Sequence, residues 1–206
     1  MSQPALPEPR VRDAVVLETT GVDMTSPLFL RDDRKVWVCL YSCAVYRAVH
    51  LESASSLSTD SSIQMSRIFV ARRRRPAIVY SDNGTNFVGT DNVFGYLECE
   101  RISKHCAIER IDWRFNPPTT AWWGGWWERL IRLLKQLLRK TLGKASLTYE
   151  ELVTLLCDCE LVINSRPLTC VQGVTDLAPI TPNMFLLDLH GSGLADCDAI
   201  DSGSLN

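Results

Sequence analysis

The run VWVCLYSC, residues 36–43, is almost wholly apolar and shows no alternation. A strand with one wet face alternates between polar and apolar residues, and a strand covered on both faces does not. This segment therefore predicts a central strand with a packed layer on each side. Helices elsewhere in the chain must supply those layers. The chain is long enough to do so: 206 residues, 46% of them hydrophobic, suit one compact domain with tails.

The flanking segments sort by period. ETTGVDMTSPLFL predicts a strand from about 19 to 30, with Pro27 near its end. RDDRK (31–35) is a polar turn, and YRAVHLESAS gives a further strand at 46–53. Three successive strands with short turns make an antiparallel meander. Ser58, Thr59 and Asp60 then offer helix N-caps, and the helix ends before Arg72–Arg75 and Pro76. AIVYSD is a short strand. FVGTDNVFGYLECERISKHC reads as loop then helix, and IERIDWRF (108–115) as a strand, so a parallel crossover is expected. NPPTTAWWGG (116–125) is a loop by its Pro and Gly content.

Two helices follow. Leu130, Leu133, Leu134, Leu137 and Leu138 form one apolar stripe, with Gly143 as the C-terminal cap. Thr148 and Glu151 form a capping box for a last helix that stops before Pro167. The order βββ-α-β-α-β-α-α predicts an α/β fold with a mixed sheet of about five strands flanked by helices. That is the order of the ribonuclease-H-like fold. The expected organisation is an extended lead-in over 1–16, a core over 17–189, and a polar, disordered tail over 190–206.

Composition excludes more than it assigns. The net charge of −2 does not mark a nucleic-acid binder, so any such role must come from local charge. Eight cysteines lie mostly in apolar segments, with no signal peptide ahead of them, and read as reduced core thiols. Cys157 and Cys159, two apart on a predicted helix, point in different directions. There is no Cys-x-x-Cys, and the three histidines are scattered, which argues against zinc. No apolar run reaches membrane-spanning length.

The chemistry centres on YSDNGTNF. Asn83-Gly84 after a strand-like run is a hairpin signal, but no alternating strand follows. Asp82 is then expected at the carboxyl end of a sheet strand, where ligand groups gather in open α/β sheets. Asp23 lies mid-strand in TTGVDMTSPL, and a carboxylate there is costly unless paired or bound to a cation. With the first and fourth strands adjacent, Asp23 and Asp82 share one site, where a divalent metal relieves their repulsion. Glu128 opens the long helix. Arg132, Lys135 and Arg139 follow on its face, opposite the leucines. From Arg129 to Lys144 there are six basic residues and no acid. Such a ridge is either a solvated face or a phosphate-binding one.

At this point the motifs match a family. GVDMTSPL, VWVCLYSCAVYRAVHLE, YSDNGTNFVG, WWGGWWERLIRLLKQLLRKTLG, LTYEEL and INSRPLT resemble the integrase core of BEL/Pao-type long-terminal-repeat retrotransposons, from about Arg10 to Leu186. The resemblance implies a DDE polynucleotidyl transferase with Asp23, Asp82 and Glu128 as catalytic and metal-binding triad. The last two are 46 residues apart (128 − 82). It also implies two Mg²⁺ or Mn²⁺ ions, 3′-processing and strand transfer on double-stranded element and target DNA, and a homo-oligomer. The expected location is nuclear with a cytoplasmic phase, and no membrane is involved. Arg129, Arg132, Lys135 and Arg139 would grip DNA. Asn83 and Asn86 would orient Asp82 or touch DNA, or serve only as turn residues. Trp122, Trp123, Trp126 and Trp127 either stack on bases or pack internally. Arg72–Arg75 either contact phosphate, act as an import signal, or suit the helix dipole.

Met24-Thr25-Ser26 departs from the family pattern, and the family's flanking zinc and DNA-binding domains have no counterpart in these residues. A core fragment is expected. The alternatives are a non-catalytic DNA-binding or self-associating relic, and a nuclease acting on RNA–DNA hybrids.

Overall fold

A computed structural model describes residues 14–102, 111–116, 125–143, 145–169 and 178–187. Its strands are β1 (Thr19–Met24), β2 (Leu28–Phe29), β3 (Lys35–Cys43), β4 (Val49–Ala54), β5 (Ile78–Ser81) and β6 (Asp112–Phe115). Its helices are α1 (Thr59–Arg72), α2 (Thr85–Ile102), α3 (Gly125–Leu142), α4 (Tyr149–Asn164) and α5 (Pro182–Leu187). The expected lead-in and tail fall almost wholly outside the described residues.

The six strands form one mixed sheet, a ribonuclease-H-like α/β architecture. β3 lies between β1 and β4, antiparallel to both, and β1 continues the sheet through parallel β5 to parallel β6. The sixth strand, one more than expected, comes from the first predicted strand breaking in two. Met24 pairs with Cys39 and Leu28 with Val36, four residues forward on one strand for three back on the other. The extra residue makes a bulge. Thr25 anchors it, donating its N–H to the Val38 carbonyl at 2.8 Å and accepting the Val38 N–H on Oγ1 at 3.0 Å. Pro27 has no N–H with which to continue the ladder.

Two helical layers cover the sheet, as the unbroken apolar run of β3 requires. Val38 and Leu40 of β3, with Val49 and Leu51 of β4, pack under Leu130, Leu134 and Leu138 of α3 and Leu152, Leu156 and Ile163 of α4. The other face places Cys39, Tyr41, Val22 and Val79 against Met65 and Phe69 of α1 and Phe87 of α2. Burying each of the three α3 leucines contributes about 1.5–3 kcal/mol. Gly143 closes α3 with φ +54, and both bonds of the Thr148–Glu151 capping box are present.

Other boundaries shift for local reasons. Arg47 turns the chain with φ +60, so the predicted strand at 46–53 starts at Val49. The expected loop after Asp82 is a helix from Thr85, because Gly84 O already accepts from the N–H groups of Phe87 and Val88. Of the predicted strand 108–115, only Asp112–Phe115 pairs, and 108–110 lie outside the described residues. Cys39, Cys43 and Cys159 are buried free thiols, as expected, whereas Cys157 is exposed on the outer side of α4. Among the described residues, no helix is long and apolar enough to cross a membrane.

α4 also seals the edge of the sheet. The Asn164 side chain takes both backbone groups of Val49, accepting from its N–H at 2.8 Å and donating to its carbonyl at 2.9 Å. Glu160 accepts the Leu51 N–H at 2.8 Å. These bonds use edge groups that would otherwise recruit another strand.

Candidate active site

β1 and β5 run parallel with Thr19 opposite Ile78 and Gly21 opposite Tyr80. The offset is 59 at each pair (78 − 19, 80 − 21), and Asp23 and Asp82 keep it (82 − 23). The two aspartates therefore stand at the same carboxyl edge of adjacent strands. The alternation of side chains puts Asp23 on the face of its antiparallel partner Leu40, which is the face covered by α3.

Gly21, on the same face of β1, determines how closely α3 can approach. A Cβ built there would lie 2.5 Å from Trp127 Cε3 and 2.7 Å from Trp126 Cη2. Only a residue without a side chain leaves room for the two indoles, which meet edge to face with centroids 4.8 Å apart. Trp126 and Trp127 are thus core residues, while Trp122 and Trp123 lie outside the described residues. Further along the same helix, Lys135 Nζ reaches Ser26 Oγ at 3.4 Å. These two contacts lay α3 along β1 on either side of Asp23, with exposed Glu128 in the first turn.

The charges meet at Asp23. Its carboxyl is pushed up to about 6, chiefly by burial. The Met24 N–H, donating to Oδ1 at 2.7 Å, pulls it down; the charge of Asp82 raises it, that of Lys135 lowers it, and that of Glu128 raises it. Asp23 on β1 thus feels the charges of Asp82, just past the end of β5, and of Glu128 on α3. Among the described residues, no three His, Cys, Asp or Glu side chains are gathered closely enough to form a ready-made metal cluster. Asp82 Oδ1 accepts the Gly84 N–H at 3.0 Å. The donor set suits a hard divalent cation: oxygen ligands only, with negative charge that raises the cost of ionising Asp23.

Asp82 is held from behind. Trp113 Nε1 donates to Ser81 Oγ at 2.9 Å, and Ser81 Oγ donates to the Asp82 carbonyl at 2.8 Å. Asn83 donates through Nδ2 to the Asn116 carbonyl at 2.9 Å, while the Asn116 N–H donates to the Ser81 carbonyl at 2.9 Å. Asn83 therefore ties the ends of β5 and β6 together. Asn86 is buried, with Nδ2 against Met24 Sδ at 3.7 Å.

Arg129, Arg132 and Arg139 are exposed on α3, and Lys135 is half-buried. They leave one cationic flank beside the acids, opposite the buried leucines. Arg72 and Arg73 are engaged elsewhere. Arg72 pairs with Glu52 at 3.0 Å, and Arg73 pairs with Glu160, around buried His50. The sequence offered no local sign of this, because the acids that hold them lie on β4 and α4. Gly21, Ser81, Trp113 and Asn116 were also not singled out from the sequence. A glycine two residues before a mid-strand acid was the available signal for the first.

No family model matches the chain, and no curated protein matches its sequence. Solved structures do share its fold. A chain of the simian T-cell lymphotropic virus intasome in complex with PP2A regulatory subunit B56 gamma aligns with TM-score 0.58 and 18% identity, covering 93% of this chain. This chain spans 60% of the length of that one. The HTLV-2 integrase catalytic core domain, in complex with magnesium in a trimeric form, aligns with TM-score 0.56 and 16% identity over 85% of this chain and 99% of its own. The protein thus has the fold of retroviral integrase catalytic cores.

Proposed function

We propose that this chain is the catalytic core of a DNA integrase, a polynucleotidyl transferase of the BEL/Pao retrotransposon type. What supports this reading is that Asp23 and Asp82 stand at the same edge of adjacent strands, with the charge of Glu128 acting on Asp23 from the first turn of the basic helix α3. Its fold neighbour, the HTLV-2 core, is described with magnesium.

In this reading the three carboxylates hold two Mg²⁺ or Mn²⁺ ions. When bound, the ions supply Lewis acidity to the scissile phosphate and to the attacking and leaving oxygens. The protein supplies position. Gly21 and the indoles set Glu128 near Asp23, and the Ser81–Trp113 brace sets Asp82. Arg129, Arg132, Lys135 and Arg139 hold double-stranded DNA by its phosphates. In 3′-processing, water attacks a phosphodiester and a 3′-hydroxyl leaves. In strand transfer, that hydroxyl attacks a target phosphodiester and the target's own 3′-oxygen leaves. One P–O bond forms as one breaks, so no outside energy source is required. The working form is a homo-oligomer acting on chromosomal DNA in the nucleus after a cytoplasmic phase.

The test is Mn²⁺-dependent cleavage and rejoining of a branched DNA substrate. Wild type is expected to be active, and Asp82→Asn and Glu128→Gln inactive. Activity that survives both substitutions rejects the reading. DNA binding with no metal-dependent chemistry in wild type favours the non-catalytic alternative.

A further inference from the structure

The first turn of α3 is contacted from the turn between β3 and β4. Arg47, in the turn between β3 and β4, sets its guanidinium 5.5 Å from the centroid of the Trp126 ring. Both its backbone polar groups are engaged: its N–H donates to the Cys43 carbonyl at 3.2 Å, and its carbonyl accepts from Arg166 at 2.9 Å. Arg166, just past α4, also donates to the Ile163 carbonyl. A continuous path of contacts therefore runs from the end of α4 through Arg47 to Trp126, and from Trp126 onto Gly21. Glu128 follows two residues later in the same helical turn.

An indole that merely fills space needs no cation on its face. A guanidinium over the ring face adds an attraction that opposes displacement of the indole. Sliding of Trp126 translates the first turn of α3 and changes the separation of Glu128 from Asp23. The rest of α3 is anchored by its leucines, and Lys135 lies two turns further on. The first turn is thus the part of the helix whose position the indoles decide.

We propose that Arg47 is a positioning residue for Glu128, acting through the Trp126 indole seated on Gly21. This rests on the reading of Asp23, Asp82 and Glu128 as a metal-binding triad. Arg47 itself touches neither metal nor DNA in this account.

The test is Mn²⁺ binding by calorimetry on the full chain, with thermal unfolding and the KM for DNA measured alongside. Arg47→Gly suits the left-handed turn and removes the cation, and Arg47→Lys keeps a cation. Arg47→Gly is expected to weaken Mn²⁺ binding about tenfold, with Tm shifted by only a few degrees and KM for DNA unchanged. Arg47→Lys is expected to recover most of that loss. Trp126→Phe, which keeps a ring beneath the guanidinium, is expected to show a smaller loss in the same direction, and it serves if Arg47→Gly does not fold. Wild-type Mn²⁺ affinity in Arg47→Gly and Trp126→Phe overturns the proposal. Glu128→Gln separates the two levels. If it abolishes tight Mn²⁺ binding while the Arg47 variants bind as wild type, only the positioning role fails. If it too binds as wild type, the triad reading falls and the proposal with it.

Discussion

Trp127 lies directly over Gly21, close enough that a single added methyl would stand 2.5 Å from its ring. That contact sets the height of α3 above β1. Gly21→Ala is expected to overpack the interface and destabilise the fold by about 1–3 kcal/mol, measured by urea unfolding. Metal affinity should fall with it, because the displaced helix carries Glu128.

Asn164 gives a second, independent stability prediction. Its amide serves both the N–H and the carbonyl of Val49 on the edge strand. Asn164→Leu leaves both buried groups unpaired and is expected to cost about 1–3 kcal/mol for each. Exposure of the β4 edge should also raise the tendency to aggregate, which light scattering on refolding will report.

The His50 cluster predicts a pH effect on stability. Burial pulls the His50 pKa down, but the hydrogen bonds and charges of Glu160 and Glu52 outweigh it, and the pKa is raised. Protonated, the ring donates Nε2 to Glu52 and Nδ1 to Glu160. Neutral, its Nδ1 accepts instead from Arg73 Nε at 3.3 Å. A pKa raised on folding contributes stability that is complete below the unfolded value. That contribution is lost as pH climbs through the folded value. Stability is therefore expected to decline as pH rises above the ordinary histidine value of about 6.5, and His50→Gln to flatten that slope. Glu160, held low despite its burial by His50 and Arg73, acts in the opposite sense, and its contribution is lost as pH falls into the acid range.

The basic flank of α3 predicts a salt effect. Arg132→Ala and Arg139→Ala are each expected to weaken DNA binding with little dependence on sequence. Each should also reduce the slope of log affinity against log salt by about 1. Mn²⁺ binding in the absence of DNA should be unchanged.

Much of this architecture was legible in the residues themselves. The unbroken apolar run of β3 required two covering layers, and two are present. The leucine stripe, Gly143 and the Thr148–Glu151 box are local signals, and each element formed where its signal lay. The failures are where distant partners decide. The bulge at Thr25 depends on Val38 across the sheet, so one predicted strand became two. One miss was local: a loop was expected after Asp82, but α2 starts at Thr85, with the Gly84 carbonyl accepting from Phe87 and Val88. Arg72 and Arg73 read as phosphate contacts, an import signal or partners of the helix dipole, and only folding brings Glu52 and Glu160 to them. Gly21 had one local hint, its place two residues before a mid-strand acid, but the two tryptophans that fit on top of it lie more than a hundred residues later.

In the proposed function, Asp23, Asp82 and Glu128 form one metal-binding site. The most direct measurement is a Mn²⁺ titration of wild type beside Asp23→Asn, Asp82→Asn and Glu128→Gln, each verified as folded. Saturable binding by wild type at millimolar Mn²⁺ or below, sharply weakened in all three variants, is the predicted result. Binding by all three variants indistinguishable from wild type, or no binding by wild type, would contradict it.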